Sequence, residues 1–378
     1  MNYDFTEQEF TFFAGLSEKI SPLAADRRLD QRPAGANADG LRQVLAALAQ
    51  TPYLRLSSEP VEGLNGELSL MGAMEVLAAI SPSAYLSVEA STRLFGRAIS
   101  TWGSAEQKER FLKPLLEGAA IGALGLSEAA MNIENEPLQT RGKKQGDAFV
   151  VSGRKQYVVN APLADWIAVA GTCEDAPALF LVGKGAAGLA VDAPLETIGY
   201  EGTPIAGLTL EDCRIPAEQV IFPDARASMP ATLRRWEDQV LLGASLGLSK
   251  TAFESARDHA KSHKSGGKPI IAYQEIGFKL AEMLTLFQTA QLLAYRTAWN
   301  LEIAAADADE LVDCAKVFCT EAAEEIASEA LKILGGAGFT SGNPAEQAYR
   351  CAKYGQIAGT STEIGRVKIG DAALNYRN

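Results

Sequence analysis

The 378-residue chain carries 47 Asp and Glu against 35 Lys and Arg, a formal net charge of −12 at pH 7. That acidic excess argues against nucleic acid or an anionic membrane as the main partner, because both demand basic patches; an anionic small molecule needs only a local Lys/Arg cluster. Hydrophobic content of 47% and charged content of 22% are ordinary for a globular protein, the length points to two or three domains, and no apolar run is long enough to span a bilayer.

The first ten residues, MNYDFTEQEF, lack the basic start and apolar core of a signal peptide. The five cysteines (Cys173, Cys213, Cys314, Cys319, Cys351) form neither a CxxC nor a paired framework, so the expectation is reduced thiols in a cytoplasmic protein. Residues 1–120 read as helical. Phe5, Phe10, Phe13, Leu16 and Ile20 fall near helical spacing, and Thr6 with Glu9 has the form of a capping box. Further helices fit 39–50, 66–80, 85–102 and 105–116, with a loop over 57–65. Over 121–229 the pattern becomes short alternating or apolar runs (148–152, 156–159, 166–170, 178–182, 206–210) divided by Gly, Pro and Asp, as in an antiparallel β-domain. From 230 to 378 long helical patterns return, over 231–263, 272–301 and 307–334, followed by two shorter ones. These make an up-down bundle.

The stretch 330–366 is the most informative. A helical row (Ile326, Ala330, Ile333, Leu334) runs into Gly335-Gly336-Ala337-Gly338, which is either a helix stop and turn or a bare backbone surface for a phosphate or sugar. A second helix over 345–356 precedes a small polar loop, Ala358-Gly359-Thr360-Ser361-Thr362, and a last helix begins at Glu363.

In this order the pieces resemble the C-terminal signature of the acyl-CoA dehydrogenase superfamily: Q-x-x-G-G-x-G-[YF], an aromatic-Arg-Asp-Ala-Lys run, then an E-G-T-S-E-I-x-R loop. Residues 103–118 (GSAEQKERFLKPLLEG) and 208–220 (LTLEDCRIPAEQV) are similar to the family as well. The resemblance implies a multi-domain α+β fold: a helical N-terminal domain (1–120), an antiparallel β-barrel-like middle domain (121–229) and a C-terminal four-helix bundle (230–378). It also implies FAD-dependent α,β-dehydrogenation of an acyl-CoA or acyl-carrier-protein thioester. In the family the flavin lies between subunits, so a homo-oligomer (dimer or tetramer), or a hetero-oligomer with a homologue, is expected, with electron-transfer flavoprotein as a candidate electron acceptor.

Carried over residue by residue, the family's T-E-P-G-A-G-S-D run falls on 127–134. Ser127 can offer a hydroxyl to the flavin edge, Leu124 and Leu126 precede it beside the cofactor, and Asn132-Ile133 stand where the family has Gly-Ser. In the G-x-K-x-W-I-T-N strand the tryptophan is Tyr157, and the threonine that donates to the flavin is Val159, which has no hydroxyl. In the loop that reaches a neighbour's FAD, His263 replaces an arginine and Gly266 a phenylalanine, with Lys264 as a point charge nearby. Lys332 replaces the glutamine before Gly335-Gly336, and Ser361 is the serine of the last loop.

The family's usual catalytic glutamate falls on Gly359, or on Ala358 with a one-residue slip, and neither can take a proton. One branch of the family carries its base on the first bundle helix instead, and that position is Glu237. Leu233, Val240, Leu241, Ala244 and Leu248 form one apolar stripe with Glu237 on it, where a carboxylate needs a role or a partner. The other reading is a solvated residue at the stripe's edge. Asp238 stands where an arginine is common. His259 and His263, the only histidines, have a spacing able to hold a metal but lack a third ligand, so no metal is expected. The leading reading is a flavin-dependent dehydrogenase with Glu237 as base. A non-oxidative acyl-thioester enzyme on the same scaffold and a cofactor-poor partner subunit stand beside it.

Overall fold

The computed structural model describes residues 4–30, 38–130, 136–224 and 228–374. Thr6 opens the first helix: its hydroxyl accepts the Glu9 amide at 3.2 Å, and the Glu9 carboxylate accepts the Thr6 amide at 2.7 Å. Helices α1 (Glu7–Arg27), α2 (Ala38–Ala49) and α3 (Gly66–Ile80) are followed by a long rod. In it, α4 (Pro82–Glu89) passes through a π-helical stretch, Ala90–Gly96, into α5 (Arg97–Trp102). Short α6 (Ala105–Gln107) and α7 (Lys113–Leu116) flank a second π-helical stretch, Lys108–Leu112. Wide turns of this kind often mark functional positions. The first one carries Arg93 fully inside the protein.

The middle region is a sheet of eight strands: β1 (Gly122–Gly125), β2 (Arg141–Gln145), β3 (Ala148–Val159), β4 (Trp166–Cys173), β5 (Ala176–Gly183), β6 (Leu189–Val191), β7 (Ile205–Pro216) and β8 (Val220–Ile221). Their order is β6-β7-β3-β2-β4-β5-β8, with β1 on β4. The coarse expectation of a β middle domain holds, but among the described residues the strands form an open path, not a closed barrel. Two pairings, β1–β4 and β2–β4, are parallel. The parallel β1–β4 pair has a local cause. Asp165, just before β4, accepts the Ile121 amide at 2.8 Å and pairs with Arg42 at 2.9 Å, so β1 is started beside β4 as it leaves the helices. The two strands expected at 148–152 and 156–159 are one, β3, which shifts register against β7 on either side of Gly153–Lys155.

Among the described residues the C-terminal region holds the three long and two shorter helices expected: α8 (Met229–Ser262), α9 (Gln274–Glu302), α10 (Ala308–Leu334), α11 (Pro344–Ile357) and α12 (Thr362–Ala373). A small hairpin, β9 (Lys264–Ser265) with β10 (Lys268–Pro269), joins α8 to α9. Helix α8 packs on α3, α9, α10 and α11, so it is the spine linking the bundle to the N-terminal helices. Alanines at 252, 256, 260, 323, 327 and 330 are buried and let these helices approach closely. The five cysteines are free, and no helix among the described residues is long and apolar enough to cross a membrane.

Candidate active site

Five of the sequence-derived cofactor residues gather at one end of the sheet. Leu124 and Ser127 are half-buried and Leu126 is buried. The Gln156 amide donates to the Ser127 carbonyl at 2.9 Å, so the chain after β1 is joined to β3 beside Tyr157. Tyr157 sits in the register shift of β3 with φ +56°, a conformation that L residues rarely adopt. A bulge of this kind re-aims the side chain, and the ring is 54% exposed. Val159, two residues on, is half-buried. The Asn132-Ile133 pair lies outside the described residues.

Beneath this surface is a buried polar network that sequence reasoning did not single out. Glu128 accepts hydrogen bonds from the Thr140 hydroxyl (2.6 Å), the Thr140 amide (3.0 Å) and Lys155 Nζ (2.7 Å), and Lys155 also donates to the Leu126 carbonyl at 3.1 Å. Burial favours the neutral form of both partners. For Glu128 the ammonium and the hydrogen bonds outweigh it and hold the carboxyl below its ordinary range. The network fixes the backbone that presents Ser127.

On the bundle side, Glu237 lies in the third turn of α8, half-buried, with Oε2 accepting from Arg234 Nη1 at 2.6 Å. Leu233, Val240, Leu241, Ala244 and Leu248 are all buried, as their stripe required. Leu241, one turn beyond Glu237 on the same helix face, places Cδ1 3.0 Å from where a Cβ on Gly359 would be. Gly359 has φ +65°, and that Cβ would overlap Asp238 Oδ1. Asp238 is only 2% exposed and accepts the Thr360 amide at 2.7 Å. Burial pushes its carboxyl up to about 7, with Lys316 and the Thr360 hydrogen bond pulling the other way. Ser361 is half-buried and caps α12, its hydroxyl accepting the Ile364 amide at 3.4 Å.

The remaining residues lie elsewhere. His263, the C-cap of α8, and Gly266, in the hairpin, are exposed, with the His263 ring stacked on His259 at 4.7 Å. Lys332, in the last turn of α10, pairs with Glu329, which also binds Lys279 at 2.6 Å. At Gly335 (φ +57°) and Gly336 nothing lies within 4 Å of a would-be Cβ, so the backbone is open to a ligand. At 1.5 Å per residue, Glu237 and His263 stand about 39 Å apart along α8. The two ends of this helix therefore serve different places.

The groups present suit a flavin dinucleotide. Tyr157 and Val159 would face its ring, Ser127 its edge, and the exposed His263, Lys264 and Lys268 with the bare Gly335-Gly336 backbone would face its phosphates. Beside Glu237 in sequence, a narrow crevice between α3, α5, α8 and α9 is lined by Met71, Met74, Arg97, Trp236, Gln239 and Val240. There Arg97 donates to Gln239 (2.8 Å) and Glu67 (3.0 Å) and lies over the Trp236 ring.

Helical regions flank a sheet in which the interior strand β3 carries an exposed aromatic, with a carboxylate on the spine helix, an arrangement compatible with a flavoenzyme. Family models for the acyl-CoA dehydrogenase N-terminal, middle and C-terminal domains match residues 15–119, 123–213 and 236–374, and the chain belongs to the acyl-CoA dehydrogenase family. It is accordingly an FAD-dependent oxidoreductase of acyl thioesters. It is 29% identical to the human mitochondrial short-chain specific acyl-CoA dehydrogenase, over 81% of this chain and 76% of that one. It is 28% identical to the benzylmalonyl-CoA dehydrogenase of Aromatoleum aromaticum over 98% of both. The butyryl-CoA dehydrogenase structure from Megasphaera elsdenii shares the fold, with TM-score 0.89, 24% identity and coverage of 99% of this chain and 100% of that one.

Proposed function

We propose that this chain removes two hydrogens across the Cα–Cβ bond of an acyl thioester with Glu237 as the catalytic base. The observation that carries this reading is the place of Glu237. It is a half-buried carboxylate on α8, one turn from the residue that abuts Gly359, where the loop itself has no acid to offer. Bound FAD supplies the hydride acceptor for the Cβ hydrogen. The protein's part is to take the α-proton onto the Glu237 carboxylate, to hold the thioester against the Ala358–Ser361 loop and to keep water out. Arg234 orients the carboxylate through Oε2.

The assembly we infer is homo-oligomeric. The separation of Glu237 from His263 and Gly266 along α8 supports a flavin site completed by a second copy, with the hairpin of one protomer reaching the sheet of the next. The domains are assigned as 1–120, 121–229 and 230–378, and the free thiols favour a reducing cytoplasm. The thioester carrier is CoA or an acyl-carrier protein, and electron-transfer flavoprotein is a candidate acceptor. The test is the visible spectrum of the purified protein before and after addition of FAD and desalting, followed by acyl thioesters with an artificial electron acceptor. Retained flavin and thioester-dependent reduction are expected. A protein that holds no FAD overturns the reading for this chain alone.

A further inference from the structure

Two buried charges from different helices grip the loop where the family's base would stand. From α8, Asp238 accepts the Thr360 amide at 2.7 Å. From α10, Lys316, 1% exposed, donates to the carbonyls of Gly355 (2.6 Å), Ala358 (3.1 Å) and Thr360 (2.8 Å). A helix C-terminus leaves carbonyls without intrahelical partners and favours a cation beside them, so Lys316 closes α11 while Asp238 fixes the chain just beyond it. The same Asp238 oxygen occupies the space that any Cβ at 359 would need, and φ +65° there suits glycine. A side chain at 359 and the Asp238 carboxylate in this position are mutually exclusive.

We propose that Asp238 is a positioning residue. With Lys316 it clamps the Ala358–Ser361 backbone against α8, so that the loop presents the thioester to Glu237 and cannot itself accommodate an acid. This rests on the reading of Glu237 as base. The clamp explains why a carboxylate is kept at a position buried this deeply: its oxygen accepts the buried Thr360 amide, and its charge faces Lys316.

The test is hydrogen exchange of the segment spanning residues 355–362, read by mass spectrometry on the FAD-loaded protein, together with steady-state kinetics. Asp238→Asn keeps an oxygen for the Thr360 amide, and Asp238→Ala does not. Exchange in the segment is expected to rise about tenfold in the alanine variant and to stay near wild type in the asparagine variant. In the alanine variant kcat should fall while KM and bound flavin are kept. Should that variant fail to fold, Asp238→Ser, too short to reach Thr360, gives the same readout. Unchanged exchange in the alanine or serine variant overturns the clamp, as does a uniform loss of kcat, flavin and melting temperature. In a second arm, Gly359→Glu placed on Glu237→Gln should restore no turnover while Asp238 is present and should restore some once Asp238→Ala is added. Restoration with Asp238 intact overturns the exclusion. Full turnover in Glu237→Gln alone would instead sink the base reading and leave the exchange result standing.

Discussion

Arg234 Nη1 meets Glu237 Oε2 at 2.6 Å, three residues apart on α8 and at the half-buried edge of an otherwise apolar stripe. The ion pair gives this carboxylate a partner within the stripe, and the guanidinium holds its Oε2 in place. Removing the acid while keeping its shape isolates its chemistry. Glu237→Gln should lower turnover by about 10²–10⁴-fold with flavin content intact, as loss of general-base catalysis does. Steady-state reduction of an artificial acceptor, paired with the visible spectrum, measures both.

Gly359→Ala tests the geometry of the loop without touching the base. The new Cβ meets Asp238 Oδ1, and alanine is strained at φ +65°. Strain of this kind costs about 1–3 kcal/mol, so the urea midpoint and the melting temperature should both drop. A variant as stable as wild type would contradict the described loop conformation.

Much of the fold was legible in the sequence because its helices carry local signals. Thr6 and Glu9 form the expected box, Pro344 stands in the first turn of α11, and Ser361 caps α12. Strands β1, β2, β6 and β8 escaped because they are short or polar: Arg141–Gln145 reads RGKKQ, with no alternation to find, and its place in the sheet comes from its pairing with β3 and β4. Asp238 escaped for a different reason. Periodicity put Glu237 on the apolar stripe and left its neighbour off it, but the burial of Asp238 is created by Thr360 and Lys316, whose approach only the tertiary fold determines. Its departure from the family's arginine was the available signal. The Glu128–Lys155 network shows the same limit, since the spacing of its members encodes no contact between them.

Glu128 gives a pH prediction. Burial raises its carboxyl, but Lys155, Thr140 and Gln139 more than offset that and hold it below its ordinary 4.5. Protonation is therefore harder in the folded state than in the unfolded one. The contribution to stability is present above about pH 4.5 and is lost as pH falls through the lower folded value. Glu128→Gln should be less stable than wild type at neutral pH and show a flatter decline in acid, as urea titrations from neutral pH downward would record.

Val159→Thr restores, at a half-buried position of β3, the hydroxyl that the family uses at the flavin. If FAD lies against Tyr157 and Val159, one added hydrogen bond is worth about 1 kcal/mol, or roughly fivefold tighter retention. Fluorescence titration of the apoprotein with FAD measures it, and weaker binding would place the ring elsewhere.

The length of α8 has a consequence for ownership. A rod that carries the acid near one end and the exposed basic hairpin beyond the other would, in the proposed assembly, make each protomer a lender and a borrower, with no copy owning a whole catalytic centre. Two dead variants, one altered at Glu237 and one at the hairpin lysines, should then revive each other on mixing and reassembly, because some shared centres in the hybrid receive both intact halves. A chain that kept its acid and its phosphate cradle within one body would gain nothing from the mixture.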